Sequence, residues 1–303
     1  MESTFIKSVN MAEFTGLEAE YHAAKDHLSA SAMKRLKISP LYYKEEEEQK
    51  ETEALLFGSA YHCFILEPDR FEKEYFIFDD SVICDILIGE GSKSPRATNK
   101  YKDWAAAQLM EIGDRQTISK ADAEKLKAMK GRLMQHHQVR MLLEGGRNEI
   151  GFTGELETEA GAIKVKIKPD HLNDKKKIIV DLKTCIDASL DGFTRHAADL
   201  DHHIQAAFYA DIMELITGDN RPWDFFFIAQ EKKAPYAFNV FEASPQFISQ
   251  GRYEYEHLCG LYKQCLDNDK WPGYQVWCES RYGVLDLNLP PYSIKKLDYF
   301  NHQ

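Results

Sequence analysis

The chain changes its hydrophobic rhythm near its middle. Before residue 145 the apolar positions fall at helical spacing, and beyond it they alternate. "LSASAMKRLKISP" predicts a helix with Ser29 or Ser31 as its cap and Pro40 as its stop. "TEALLFGSAYHCFILEP" predicts a helix ended by Pro68, and "EYFIF" a short strand after it. Residues 95–112 and 119–144 read as helices, the second opened by Ser119 with Asp122 three places on and closed by Gly145 and Gly146. The segments "NEIGFTGELET", "AIKVKIKPDHL" and "IIVDLKT" are β-rich and separated by the turn compositions "EAG" and "NDKKK", which predicts a three-stranded meander. An amphipathic helix over "DLDHHIQAAFYADIMELITG" follows, then strands at "WDFFFIAQ" and "PYAFNVFEA", then a long helix capped by Ser244 with Pro245 in its first turn. This order predicts an α/β fold, a mixed sheet of about five strands flanked by helices, with N-terminal helical additions.

No repeat, low-complexity linker or composition break divides the chain, so one domain over 1–303 is expected. Residues 1–145 form its mainly helical part, 146–275 its sheet and helices, and 276–303 a tail. The length of 303 residues with 44% hydrophobic content is enough for a substantial core. No 18-residue apolar run exists and the start "MESTFIKSVN" has Glu2 and no apolar stretch, so the expected location is cytoplasmic, without a membrane span. The six cysteines form no C-x-x-C pair, the usage of reduced thiols; Cys259, Cys265 and Cys278 are the one grouping that an iron–sulfur cluster would need, without the short-spaced pairs such clusters favour.

A net charge of −11 argues against nonspecific nucleic-acid binding by the whole surface. Screening limits exposed charges to about 8–10 Å, so local clusters decide what a polyanion meets. Such clusters occur at Lys34, Arg35 and Lys37, at Lys93, Arg96, Lys100 and Lys102, at Lys164, Lys166 and Lys168, and at Lys175–Lys177; Glu45–Glu48 is an opposing, solvated run.

The chemistry concentrates in "IKPDHLNDKKKIIVDLKT", residues 167–184. In a strand Asp181 and Lys183 share one face while Leu182 turns to the other, and the polar turn folds Asp170 back beside Asp181. Two facing carboxylates repel, and with an ammonium beside them they suit a divalent cation and a phosphate. The bland alternative is a surface hairpin with a salt bridge.

Context weighs against the hairpin. "PD" at 169–170 and "DLK" at 181–183 resemble the motif of the PD-(D/E)XK nuclease superfamily. Gln205 and Tyr209, four apart in "QAAFY", resemble the additional motif of its RecB-like branch. "FGSAYHCFILEPDRF", around His62, is similar to the N-terminal motif of RecE-type exonucleases, the exodeoxyribonuclease VIII-like phage and bacterial proteins. "YHAAKDHLSASAMKRLKISPLYY", "SPRATNKYKDW" and "WPGY" look like the same family, so the resemblance covers most of residues 20–275.

The resemblance implies a restriction-endonuclease-like core and a Mg²⁺ site, with Mn²⁺ able to substitute, held by His62, Asp170, Asp181 and the backbone carbonyl of Leu182. It implies that Lys183 acts on water and phosphate, that Gln205 and Tyr209 position the scissile strand, and that Arg96 and Lys168 contact phosphates. Lys168 stands where an Arg is expected in relatives, which weakens a bidentate contact. Glu149, at the start of the first meander strand, is placed near the site but not among the ligands. The implied activity is an exodeoxyribonuclease degrading linear double-stranded DNA from 5′ to 3′, leaving 3′ single-stranded tails for recombination, repair or annealing. The implied partners are DNA ends, a single-strand annealing protein and further copies of the chain in a ring. The alternatives are an endonuclease or single-strand nuclease of the same fold, and a catalytically silent DNA-binding recombination module.

Overall fold

The run ahead of Asp181 is apolar on both sides of the strand, which is what a central parallel strand requires. The computed structural model describes residues 5–15, 18–45, 52–219, 221–277 and 284–291. Its strands are β1 (Ile6–Glu13), β2 (Tyr75–Phe78), β3 (Gln116–Ser119), β4 (Arg147–Asn148), β5 (Phe152–Thr158), β6 (Gly161–Ile167), β7 (His171–Asn173), β8 (Ile178–Cys185), β9 (Asp224–Glu231) and β10 (Phe238–Glu242). The central sheet has the order β10-β9-β8-β7-β4, with β8 and β9 parallel and the remaining pairs antiparallel. It is the expected five-stranded mixed sheet between helices.

Alternation along β8 divides the core in two. Ile179 and Cys185 join a cluster with Leu28, Met33, Phe208 and Tyr255, while Val180 and Leu182 join a second with Ala60, Tyr61, Leu126 and Met129. The first cluster lies under the helices Ala30–Ile38, His202–Thr217 and Pro245–Asn268, the second under Glu53–Leu66 and Lys120–Met134. Residues of the N-terminal helical part are thus built into both cores.

Several expectations are corrected. The three-stranded meander is split between two sheets: β5 and β6 form a hairpin with β1, whereas β7 and β8 belong to the central sheet. Pro169 explains the break, because it has no N–H for a ladder and sits between the end of β6 and the start of β7. Asp170 therefore lies between the two strands, directly ahead of β7. The segment Ile6–Glu13 is a strand that its weak alternation did not announce. Helix 119–144 is two helices, Lys120–Met134 and His137–Leu143, because His136 takes extended backbone with φ −88° and ψ 127°. The helix of residues 95–112 is a 3-10 turn, Pro95–Ala97, followed by Asn99–Ile112 capped by Thr98. A helix over Ser81–Gly89 and the pairing of β2 with β3 are additional. Pro40 stops one helix but also starts the next, Pro40–Lys44, with Ser39 as its cap.

The His202–Thr217 helix is not amphipathic but buried around most of its surface, since it lies between the sheet and the Pro245–Asn268 helix. The two helices approach closely enough that a Cβ on Gly251 would collide with the His203 carbonyl oxygen. That packing requires glycine. Among the described residues no helix is long and apolar enough to cross a membrane. Cys63, Cys84, Cys185, Cys259 and Cys265 are free thiols. Cys278 and Glu46, Glu47 and Glu48 lie outside the described residues, as does most of the 276–303 tail.

Candidate active site

In the β7–β8 ladder His171 pairs with Val180, so Asp170 lies next to Asp181 in register. The Asp170 Oδ2 accepts the Leu182 N–H at 2.7 Å, which fixes the carboxylate against the backbone of β8. Leu182 itself is fully buried. One residue to either side, Asp181 and Lys183 share the opposite face, with Lys183 Nζ 2.6 Å from Asp181 Oδ2. Gln205, one turn into its helix, completes a ring: its Nε2 donates to Asp181 Oδ1 at 2.6 Å and its Oε1 accepts from Lys183 Nζ at 3.2 Å. Tyr209, four residues on, is buried on the same side of that helix.

His62 arrives from the other side of the sheet edge. Tyr61 is fully buried and its hydroxyl donates to Gln230 Oε1 on β9 at 2.9 Å, while the Asn148 side chain donates to the Leu66 carbonyl at 2.7 Å. Those two ties lock the Glu53–Leu66 helix over β4 and β9. They aim His62 Nδ1 at Asp170 Oδ2, 3.2 Å away, and place it 3.9 Å from Glu149 Oε1. His62 keeps 27% of its side chain accessible, so the group is open to solvent.

Glu149 lies beside the site, as expected from the sequence. It takes a left-handed backbone, φ 54°, its N–H donates to the Asp170 carbonyl at 2.9 Å, and its Oε2 lies 2.9 Å from Lys168 Nζ. The ligand atoms of His62, Glu149 and Asp170 all lie within 4.8 Å of one another. Asp181 stands outside that trio, bound to Lys183 and Gln205. The sign in the sequence was a carboxylate opening the first alternating segment; its partner became visible only when β4 paired with β7.

The charges show the same arrangement. Burial alone would push the His62 imidazole down, but Asp170 and Glu149 outweigh it and raise it to about 10. Burial alone would raise the Asp170 carboxyl; His62, Lys183 and the Leu182 N–H instead hold it below the ordinary range. Asp181 is pushed up, chiefly by burial and by Asp170, against the pull of Lys183. Lys183 is raised because Asp181 and Asp170 overcome its desolvation. Lys34, read in the sequence only as part of a basic cluster, lies close enough to Lys183 and Asp181 to feel both; burial and Lys183 lower it to about 8.

A family model described as "PDDEXK-like domain of unknown function (DUF3799)" matches residues 29–281. The chain belongs to this family. No curated protein matches it by sequence. Among solved structures it is similar to a "Putative exonuclease" from Eubacterium rectale, at 20% identity and a TM-score of 0.58, over 94% of this chain and 98% of that one. That likeness is one of fold. SSO0001, at 13% identity over 80% of this chain and 87% of that one, has a TM-score of only 0.28 and carries no argument.

The PDDEXK-like family thus accounts for the sheet and for the place of "PD" and "DLK" upon it. Two carboxylates and an imidazole gathered at one opening fit a divalent cation with hard oxygen preference, and those three residues could hold one. Of the remaining expected site residues, Lys168 lies beside the trio through Glu149. Arg96 does not join it: its side chain is 72% exposed and its guanidinium pairs with Asp80 at 2.7 Å, beside the Lys120–Met134 helix start.

Proposed function

We propose that the chain hydrolyses phosphodiester bonds in DNA with a divalent cation, Mg²⁺ or Mn²⁺, and that it is a RecE-type exonuclease acting from 5′ to 3′ on linear duplex ends. The observation that carries the reading is the gathering of Asp170, Asp181, Lys183 and Gln205 around the Asp181–Lys183 segment of β8, with His62 and Glu149 at its opening. A surface hairpin with a salt bridge would not bury Asp170 and Asp181, nor draw a histidine from a distant helix onto one of them.

When bound, a divalent cation would supply charge to offset the phosphate and would lower the pKa of its water. The chain does the rest. His62, Glu149 and Asp170 would hold the ion, with Asp181 and the Leu182 carbonyl of the sequence-based set joining them once Asp181 turns from Lys183. Lys183, whose Nζ lies 2.6 Å from Asp181 Oδ2, acts on the phosphate and the attacking water. Gln205 holds Asp181 and Lys183 in one orientation. Tyr209 and Lys168 position the strand, and Arg96 meets phosphates farther away. A single 1–303 domain, working in a ring with a basic interior and supplying 3′ tails to an annealing protein in recombination or repair, is the biological form of this proposal.

The test uses linear duplex labelled at either the 5′ or the 3′ end, beside the closed circular form. Early release of 5′ label with Mg²⁺ and intact circles is the expected result. Cut circles would replace the exonuclease with an endonuclease, and inertness toward every end, strand form and metal would leave a DNA-binding module.

A further inference from the structure

Beyond the catalytic trio lies a cleft of about 1020 Å³ between the segment 21–44, β6, and the far part of the Pro245–Asn268 helix. Its charge is the reverse of the chain's. The whole sequence has 38 Lys and Arg against 49 Asp and Glu, whereas among the described residues this lining holds Lys25, Arg35, Lys44, Lys166 and Lys168 against Asp26. Asp26 is itself neutralised by Lys164 at 2.8 Å. Lys166 is spent on structure, donating to the Tyr21 and Ala24 carbonyls at 2.8 and 2.9 Å, which holds that wall in place. Lys25 and Lys44 are exposed.

The same wall carries aromatic rings. Tyr43 stacks on Trp271 with centroids 5.6 Å apart and 24° between planes, and Lys44 stands 5.0 Å over the Trp271 ring. At the other end the cleft reaches the candidate active site, because Lys168 lines it while pairing with Glu149, and Tyr209 lines it one helical turn from Gln205.

We infer that this cleft binds an unpaired nucleic-acid strand leading to or from the reaction site, with its phosphates on Lys25, Lys44 and Lys168 and a base seated on Trp271 in place of the Lys44 ammonium. The inference rests on the nuclease reading for its direction but not for its test. A volume at the top of the roughly 300–1,000 Å³ range of enclosing pockets takes a few nucleotides and no duplex. Cations beside an aromatic platform are the means by which proteins hold single strands without reading sequence.

The experiment measures binding of a fluorescein-labelled oligothymidylate in EDTA, where hydrolysis plays no part. Lys25→Glu/Lys44→Glu is expected to weaken binding tenfold or more and to flatten the salt dependence by about 1.4 in log–log slope. Lys73→Glu/Lys127→Glu, which changes the net charge equally on exposed positions outside the cleft, is expected to bind nearly as the wild type does. The strand should also change tryptophan emission in the wild type and not in Trp271→Phe, and an abasic strand of equal length should give a smaller change. Equal weakening in both double variants, or undiminished binding in the cleft variant, overturns the inference; an abasic strand that matches the normal one overturns its base-stacking part. Intact Mg²⁺ hydrolysis with cleft-independent binding defeats this inference alone, and cleft-dependent binding without hydrolysis in any metal defeats the proposed function alone.

Discussion

Among the described residues, two places bring a histidine and two carboxylates together, and they use them differently. One is His62, Glu149 and Asp170; the other is Asp201, His203 and Glu254, beneath the first-core helices. In the second, the chain supplies its own cation: Lys37 Nζ lies 2.6 Å from both Asp201 Oδ1 and Glu254 Oε2, and Gln250 donates to the other Glu254 oxygen at 2.7 Å. His203 Nε2 is 3.1 Å from Glu254. The result is a closed clamp tying the Ala30–Ile38 helix to the two helices that meet at Gly251. In the first, the carboxylates come from the residue just after β4 and the residue just before β7, are fixed by a backbone N–H group or a lysine at the rim, and face an accessible imidazole. Residue types alone do not decide how such a group is used. What separates the two is whether an ammonium already stands between the acids.

The strongest way to break this comparison is at β8. Asp170→Asn and Asp181→Asn are expected to abolish measurable cleavage and to weaken Mg²⁺ binding together. Lys183→Ala is expected to slow single-turnover cleavage by about 10²–10³-fold while leaving Mg²⁺ affinity near normal, because it acts on phosphate and water. Calorimetry beside rapid-quench kinetics reads both quantities. Wild-type rates in Lys183→Ala would reduce the constellation to a charged hairpin.

A smaller effect sharpens the assignment of ligands. Glu149→Gln and His62→Ala are each expected to lower Mn²⁺ affinity by about 10–100-fold, the range found when a ligand or its support is lost. Glu254→Gln should leave that affinity unchanged. A His62→Ala protein that melts several degrees lower yet binds Mn²⁺ normally would make His62 a packing residue.

The third effect is on stability. Lys37→Met removes the cation between Asp201 and Glu254 and is expected to cost about 1 kcal/mol, the upper end for a partly exposed pair. That corresponds to a fall of a few degrees in Tm, with cleavage per folded molecule retained. A loss of cleavage at unchanged Tm would erase the distinction between the two groups.

How much of this was visible in the sequence follows from which interactions are local. The β8 run, its Asp181–Lys183 spacing and the Gln205–Tyr209 spacing each lie within one element, where a period of two or of 3.6 settles which side chains share a face. The caps at Ser119 and Ser244 are equally local, and both are in place. What the sequence concealed depends on contacts between distant segments. The meander was divided because Pro169 cannot donate to a ladder, and nothing in "NEIGFTGELET" says that Ile6–Glu13 is its partner. Glu149 entered the trio through the pairing of β4 with β7, and Lys34 reached Lys183 through packing of a helix more than a hundred residues earlier in the chain. The closed clamp was hidden for the same reason, since Lys37, Asp201 and Glu254 have no sequence relation.

The smallest expected effect lies in the pH dependence of that clamp. Burial alone would raise the Glu254 carboxyl, but Lys37, Gln250 and His203 together bring it down to about 2. A carboxylate whose folded pKa is depressed stabilises the fold fully above its unfolded value of about 4.3, and that contribution is lost as pH falls through the folded value. The window is therefore pH 4.3 down to about 2. Glu254→Gln has no charge to lose there, so the Tm difference between wild type and variant should be largest near pH 6 and shrink steadily on acidification through that window. The measurement is a series of thermal melts of the two proteins in matched ionic strength. A difference that stays constant from pH 6 to pH 2 would mean that the clamp holds through packing alone, and that the ammonium between its acids contributes nothing that the open trio lacks.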